Sequence, residues 1–183
     1  MKSHRLLLIT GGSRSGKTAY ALERAMRFGN RVYLATAESI DPEMKDRIQR
    51  HQEERANNFT TLEESIHLAG AFDRIPEDTD VVLVDCMTVW LGNLMHHRGV
   101  QTEAYDEVLS FLEKLKNLPT NVIIVTNEIG SGIVPPDSMT RTFRDHAGWL
   151  NQDIAKIADE VVLVACGLPL SLKNHIERGK FES

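Results

Sequence analysis

The sequence predicts an α/β sandwich on a mostly parallel sheet, with a phosphate loop at the end of its first strand. Two observations carry that expectation. Short apolar runs alternate with longer amphipathic ones along the chain. The first run leads into Gly11-Gly12-Ser13-Arg14-Ser15-Gly16-Lys17-Thr18, a full match to G-x-x-x-x-G-K-[ST]. Length bounds the answer: 183 residues is one domain at roughly 100–200 residues per domain. We therefore take 1–183 as a single nucleotide-binding catalytic domain, with 174–183 as a flexible tail.

The elements follow in order. Leu6-Leu7-Leu8-Ile9 suits a buried parallel strand. Ala19 to Phe28 predicts a helix with Ala21, Leu22, Ala25 and Met26 on one stripe, closed by Gly29. Arg31 to Ala37 reads as the second strand. Asp41-Pro42 then opens a charged helix with a side-chain cap and a proline at its first position. Thr60-Thr61 begins a further helical stretch through Leu68 and Phe72, and Val81-Val82-Leu83-Val84 is a strand closed by Asp85. Helices are predicted over Trp90 to His97, Glu103 to Lys116 and Ser138 to Ala158, with strands at Val122 to Val125 and Val161 to Ala165. Gly167-Leu168-Pro169 turns the chain into a short Leu170–Leu172 segment.

Composition excludes several classes. A hydrophobic fraction of 42% with 26% charged residues is that of a globular chain, not a disordered one. With 21 basic and 26 acidic side chains the net charge is −5, so no global basic field draws the chain to nucleic acid or an anionic membrane. No apolar run approaches the ~20 residues of a membrane helix, and the N-terminal run is too short for a signal-peptide core. Cys86 and Cys166, each in an apolar run, read as small buried hydrophobes in a reducing compartment. The expected location is the cytoplasm.

The phosphate loop carries the first chemistry. Its glycines let backbone N–H groups turn inward around phosphate oxygens, and the following helix N-terminus adds partial positive charge. Lys17 is placed to reach β- and γ-phosphates, and Thr18 to ligand Mg²⁺. Asp85, at the end of an apolar strand, is the candidate carboxylate for the Mg²⁺ shell; capping the next helix is the alternative reading. No N-K-x-D guanine signature is present, so the base and the phosphate acceptor stay open at this point.

In the helix after Pro42, Met44, Ile48 and His51 share one face, with Arg47, Arg50 and Arg55 nearby. Arginines beside an imidazole suit a group that attacks or carries phosphate, because they offset charge on the phosphoryl oxygens. A neutral imidazole is a nucleophile that needs no strong base. A satisfied core histidine is the plainer alternative. His96-His97 reads as a solvated helix end.

Four stretches together carry a resemblance: the phosphate loop, Arg47-Ile48-Gln49-Arg50-His51, Thr126-Asn127-Glu128-Ile129-Gly130-Ser131-Gly132-Ile133-Val134-Pro135, and Phe143-Arg144-Asp145-His146-Ala147-Gly148-Trp149-Leu150-Asn151-Gln152. In order and without large gaps from Leu6 to about Lys173, the chain resembles the bifunctional adenosylcobinamide kinase / adenosylcobinamide-phosphate guanylyltransferases of cobalamin biosynthesis. The resemblance implies phosphorylation of adenosylcobinamide by ATP or GTP. It then implies transfer of GMP from GTP, through a guanylyl-histidine, to adenosylcobinamide phosphate. The guanylylated residue falls on His51. The family's other nucleotide contacts fall on Ala35, Thr36 and Ala37, on Gln52, Glu53, Glu54 and Arg55, on Glu63 and on Asp85. Glu63 has an alternative reading as a first-turn helix carboxylate, and Asp85 stands where the family can carry Glu. Ser13 and Thr18 replace Ala and Ser of other members and keep the loop chemistry.

The resemblance further implies a RecA-like P-loop fold with a C-terminal antiparallel hairpin, and a homotrimer. It implies Mg²⁺ with GTP or ATP, no tightly bound organic cofactor, and neither nucleic acid nor membrane as partner. A single-activity P-loop kinase and a non-catalytic GTP/ATP-binding switch module are the alternatives.

Overall fold

A computed structural model describes residues 4–38 and 58–174. Seven strands form one sheet in the order β3-β2-β4-β5-β1-β6-β7. They are β1 (Leu6–Thr10), β2 (Arg31–Ala35), β3 (Thr60–Glu63), β4 (Val81–Asp85), β5 (Asn121–Val125), β6 (Glu160–Ala165) and β7 (Leu168–Asn174). All neighbours pair in parallel except β6 with β7. The helices are α1 (Lys17–Ala25), α2 (Leu68–Ala71), α3 (Met87–Arg98), α4 (Asp106–Lys116) and α5 (Ser138–Ile157).

Strand alternation sorts the core into two slabs. Leu6, Leu8, Val82, Val84, Val122 and Ile124 face α2 to α5. Leu7, Ile9, Leu83, Ile123 and Val125 face Ala21 and Ala25 of α1. The β1 run has no polar residue before Thr10 because both faces are covered, as a central parallel strand requires. The expected three-layer sandwich with a C-terminal antiparallel hairpin is therefore what the chain forms.

Several elements differ from expectation. Thr60 to Glu63 is an edge strand parallel to β2, not a helix. Leu68 and Phe72 do fall four residues apart on one core, but in a short helix and the 3-10 turn after it, while Leu62 reaches that core from the strand. Glu64 breaks the run: its carboxylate accepts from the backbone N–H groups of Ile66 at 3.1 Å and His67 at 2.8 Å. Glu63 is thus an exposed strand-end residue and not a first-turn helix carboxylate. α1 ends at Ala25, leaving Met26 exposed, and Gly29 is no helix cap. Its N–H, with that of Asn30, donates to Asp80 just before β4.

Helix α3 starts three residues earlier than expected, at Met87, so that β4 passes into it through Cys86 alone. Helix α4 begins at Asp106, after Tyr105 has turned inward to donate from its hydroxyl to the Gly99 carbonyl. β7 is longer than predicted because its leucines alternate on the exposed hairpin. Cys86 is buried as expected, and Cys166 is not. Cys166 and Gly167 are the two central residues of the β6–β7 turn, both at positive φ (52° and 78°), which the twist of a two-residue hairpin demands. No helix among the described residues is long and apolar enough to cross a membrane.

One ion pair fastens α1 to the sheet. Arg24 donates through both terminal nitrogens to Glu160 at 2.9 Å, and also to the Tyr20 hydroxyl. The guanidinium holds the Glu160 carboxyl below the usual carboxylate range and is itself raised by Glu160. A lowered folded-state value means that the stabilisation is present above the unfolded carboxyl value of about 4.3 and is lost as pH falls through the folded value. Glu160→Gln is expected to lower Tm by about 2–4 °C at neutral pH, equivalent to about 1 kcal/mol in a domain of this size. In thermal melts across pH, the gap from wild type should close below about pH 4.

Candidate functional site

The site lies where β1, β2, β4, β5 and β6 present their carboxyl ends. β1 passes at Thr10 into the glycine-rich loop, and the loop runs directly into α1. Its turn is closed by Ser15 N–H donating to the Gly12 carbonyl at 3.3 Å, and Tyr20 N–H to that of Gly16 at 3.1 Å. Gly16 adopts φ 96°, a left-handed conformation that glycine alone takes without strain. At Gly11 the constraint is space: a Cβ there would lie 2.4 Å from the Val164 carbonyl oxygen and 2.6 Å from Ser15 Oγ. Around Gly12 nothing lies within 4 Å of such a Cβ.

The loop is held from both sides. Glu128 N–H donates to the Gly11 carbonyl at 3.0 Å, extending the β5–β1 ladder past the end of β5. Gly167 N–H, from the hairpin turn, donates to the Ser15 carbonyl at 2.8 Å. Lys17 is buried, with its ammonium donating to the Gly12 carbonyl at 2.9 Å, so the cation lies across the loop. Ser13 and Arg14 are exposed on its outer side, and Arg14 has φ 56°. Ser15 Oγ is buried with no hydrogen-bond partner among the described residues.

Asp85 ends β4 and is half-buried; its Oδ2 accepts from the Tyr33 hydroxyl at 2.8 Å. It does not cap the next helix, whose N-cap is Cys86 without a side-chain bond. Burial first, then the Asp85 charge, pushes the Cys86 thiol up to about 12, against a smaller lowering by Lys17. Cys86 is therefore a protonated, inert filler at neutral pH. Thr36, expected to meet nucleotide, is fully buried and bridges two strand ends. Its hydroxyl donates to the Cys86 carbonyl at 2.9 Å and accepts from Cys86 N–H at 2.8 Å. Ala35 and Ala37 flank it, half-buried.

Thr18 and Asp85 are hard oxygen donors, the chemistry Mg²⁺ prefers. No group of three or more His, Cys, Asp or Glu able to hold a metal gathers among the described residues. The residues fit the ion on donor chemistry.

His51, Gln52, Glu53, Glu54 and Arg55, the arginines at 47 and 50, and the helix predicted after Pro42 lie outside the described residues. Glu63 ends β3 beside Ala35, its register partner on β2, at the far side of the sheet from the loop.

Sequence reasoning missed the polar residues that lock the strand ends. Asn93 on α3 donates to the carbonyls of Thr36 at 2.7 Å and Ser65 at 3.2 Å. Thr88, Thr126 and Asn151 form a second set around the segment after β5. His146, which gives no separate signal in the sequence, is buried between Tyr105 and Trp149 and bonds the Gln101 carbonyl at 2.9 Å. Thr126, Asn151 and His146 lie within stretches that carry the resemblance, but nothing local shows which partners they hold; Asn93 and Thr88 have no such mark.

A family model described as cobinamide kinase / cobinamide phosphate guanyltransferase matches residues 7–172. The bifunctional adenosylcobalamin biosynthesis protein CobP of Pseudomonas aeruginosa is 41% identical over 167 residues, covering 91% of this chain and 96% of that protein. The bifunctional adenosylcobalamin biosynthesis protein CobU of Escherichia coli is 33% identical over 180 residues, covering 92% and 99%. Among solved structures, a RadB recombinase superposes with a TM-score of 0.51 at 18% identity, covering 87% of this chain and 73% of that one. An ATPase of a bacterial type III secretion system gives 0.53 at 10%, covering 91% and 56%. These last two establish the fold alone, which is RecA-like.

The loop geometry separates two glycine substitutions. Gly11→Ala is expected to cost about 1–3 kcal/mol, as overpacking against backbone does. Gly12→Ala, with open space around it, should stay within ~1 kcal/mol of wild type. Urea denaturation of the two variants checks the contrast.

Proposed function

The chain belongs to the cobinamide kinase / cobinamide phosphate guanyltransferase family, and from that premise we propose a specific course for its two reactions. ATP or GTP phosphorylates adenosylcobinamide. GTP then gives GMP to His51, and adenosylcobinamide phosphate takes it on to form adenosylcobinamide-GDP. The observation that supports this most directly is the phosphate loop folded around a buried Lys17 in a chain matched by the family over residues 7–172.

In this reading the backbone N–H groups from Gly12 to Thr18 bind phosphate oxygens. Lys17 exchanges its hold on the Gly12 carbonyl for a triphosphate oxygen and so follows charge developing on the transferred group. Thr18 and Asp85 hold Mg²⁺, which when bound offsets charge on the phosphates. Tyr33 fixes the Asp85 carboxylate through its hydroxyl. Arg14, Ala35, Ala37, Gln52, Glu53, Glu54, Arg55 and Glu63 complete the nucleotide contacts, with Thr36 acting from beneath by holding Ala35 and Ala37 in place. At His51 an in-line attack of the imidazole on the α-phosphorus forms a P–N bond as pyrophosphate leaves. The acceptor phosphate later displaces the histidine, so one difficult transfer becomes two easier ones.

The decisive experiment uses Mg²⁺ with GTP labelled at the α- or the γ-phosphate. Acid-labile, alkali-stable label is expected on the protein from the α-position only, and is expected to vanish in His51→Ala. Wild-type protein that phosphorylates adenosylcobinamide yet takes no α-label would reduce the chain to a simple kinase. Lys17→Met should lower both reactions by roughly 10²–10³-fold, the scale of one lost charge-stabilising donor.

The reading extends to a homotrimer. Leu168, Leu170 and Leu172 of β7 are each more than half exposed, an apolar face that a subunit contact would cover. Sedimentation should give three times the chain mass, and Leu170→Glu should shift it toward the monomer. A wild-type monomer at micromolar concentration contradicts the trimer.

A further inference from the structure

We propose that Asn151, on α5, is a positioning residue for the chemistry at the phosphate loop, acting through Thr126 and Asn127. The proposal rests on the phosphate-loop reading given above. β5 lies between β1, which carries the loop, and β4, which carries Asp85. Whatever follows the end of β5 therefore sits between the loop and the carboxylate.

The segment from Thr126 to Glu128 is tied down at all three backbone N–H groups, at the Asn127 carbonyl and at the Thr126 hydroxyl. Thr126 N–H donates to the Ile9 carbonyl at 3.0 Å and Glu128 N–H to that of Gly11 at 3.0 Å, which fixes the segment against the loop. Asn127 N–H donates to Thr88 Oγ1 at 2.9 Å, in the first turn of α3 directly after Asp85 and Cys86. The Thr126 hydroxyl, which also lies 3.5 Å from Thr88 Oγ1, and the Asn127 carbonyl are both bonded by one side chain. Asn151 Oδ1 accepts from Thr126 Oγ1 at 2.7 Å, and Asn151 Nδ2 donates to the Asn127 carbonyl at 3.1 Å.

Only an amide supplies one acceptor and one donor at that spacing; a carboxylate offers acceptors alone, and an apolar side chain neither. Asparagine is also a poor helix former, yet here it stands within a 20-residue helix with both polar atoms directed across to another element. Both backbone groups of the half-buried Asn127 are thereby engaged, which fixes the course of the chain between the strand that carries the loop and the strand that carries Asp85. The phosphate cradle itself has separate supports in Ser15, Lys17 and Gly167. Loosening Asn151 should therefore disturb alignment of the reacting groups more than capture of the nucleotide.

The test compares Asn151→Asp, which at neutral pH loses the donor, with Thr126→Val, which loses the other bond, and Thr126→Ser, which keeps it. Three quantities are measured on the full chain: Kd for a non-hydrolysable GTP analogue with Mg²⁺, kcat for adenosylcobinamide phosphorylation, and Tm. We expect kcat to fall at least ~10-fold in the first two variants, the scale of a small misplacement of reacting groups. The analogue's Kd should change less than ~3-fold, and Thr126→Ser should keep wild-type kcat. If Asn151→Asp does not fold, the two Thr126 variants carry the comparison. Unchanged kcat in variants that bind the analogue, or a rise in Kd that matches the fall in kcat and comes with a lower Tm, overturns the role of Asn151 alone. Wild-type protein that binds no triphosphate overturns the phosphate-loop reading and this proposal with it.

Discussion

The close approach of three backbone segments at Gly11 is the constraint on which the site depends. A Cβ there would meet the Val164 carbonyl oxygen of β6 at 2.4 Å, while the Gly11 carbonyl accepts the Glu128 N–H from beyond β5. The phosphate loop is thus gripped between the extensions of its two neighbouring strands before any ligand arrives. Burying both faces of β1 makes that grip rigid, because close-packed cores do not deform continuously. The hairpin turn and the Thr126–Glu128 segment each hold the loop at one carbonyl, Ser15 and Gly11, and the loop keeps its own internal bonds besides.

The same logic explains how polar residues are spent at this edge of the sheet. Parallel strands end in backbone groups that no longer have ladder partners, and buried ones must find others. Thr36 closes the gap between the ends of β2 and β4, Asn93 holds the segment after β2, and Asn151 with Thr88 holds the segment after β5. Each comes from a helix or a strand end on the core side, so the strand ends are fixed from beneath. Their upper side is left to the loops that follow, which is where open parallel sheets take ligands.

Much of this was legible in the sequence, and the failures have physical causes. Leu6 to Ile9 and Val81 to Val84 read correctly because strands covered on both faces need unbroken apolar runs. The place of the glycine-rich loop between β1 and α1 was legible because its motif comes with a strand before it and a helix after it. Thr60 to Phe72 misled because helical spacing also arises when a strand, a turn and a short helix pack on one core in succession. Cys166 misled because hydrophobic character says nothing about a turn that needs positive φ. Asn93 carries no local signature, and Asn151 and His146 lie in a stretch that marks the resemblance without showing what they hold: their partners lie 57, 24 and 45 residues away in the chain, and only the fold brings them together.

One loop for two reactions follows from what the loop recognises. Backbone N–H groups at a helix N-terminus bind phosphate oxygens by charge and direction, and they do not distinguish the β–γ pair from the α–β pair. On the proposed reading, a triphosphate presents either its γ- or its α-phosphate at the same cradle. On that reading, the choice between γ-transfer and α-transfer falls to whichever nucleophile stands in line, the substrate hydroxyl or His51. Asp85 and the segment after β5 flank the loop whichever phosphate occupies it, since both are fixed by the sheet and not by the ligand. On the reading proposed here, a chain of 183 residues with one G-x-x-x-x-G-K-[ST] match runs its two transfers in turn at one place, and the rigid strand ends serve both.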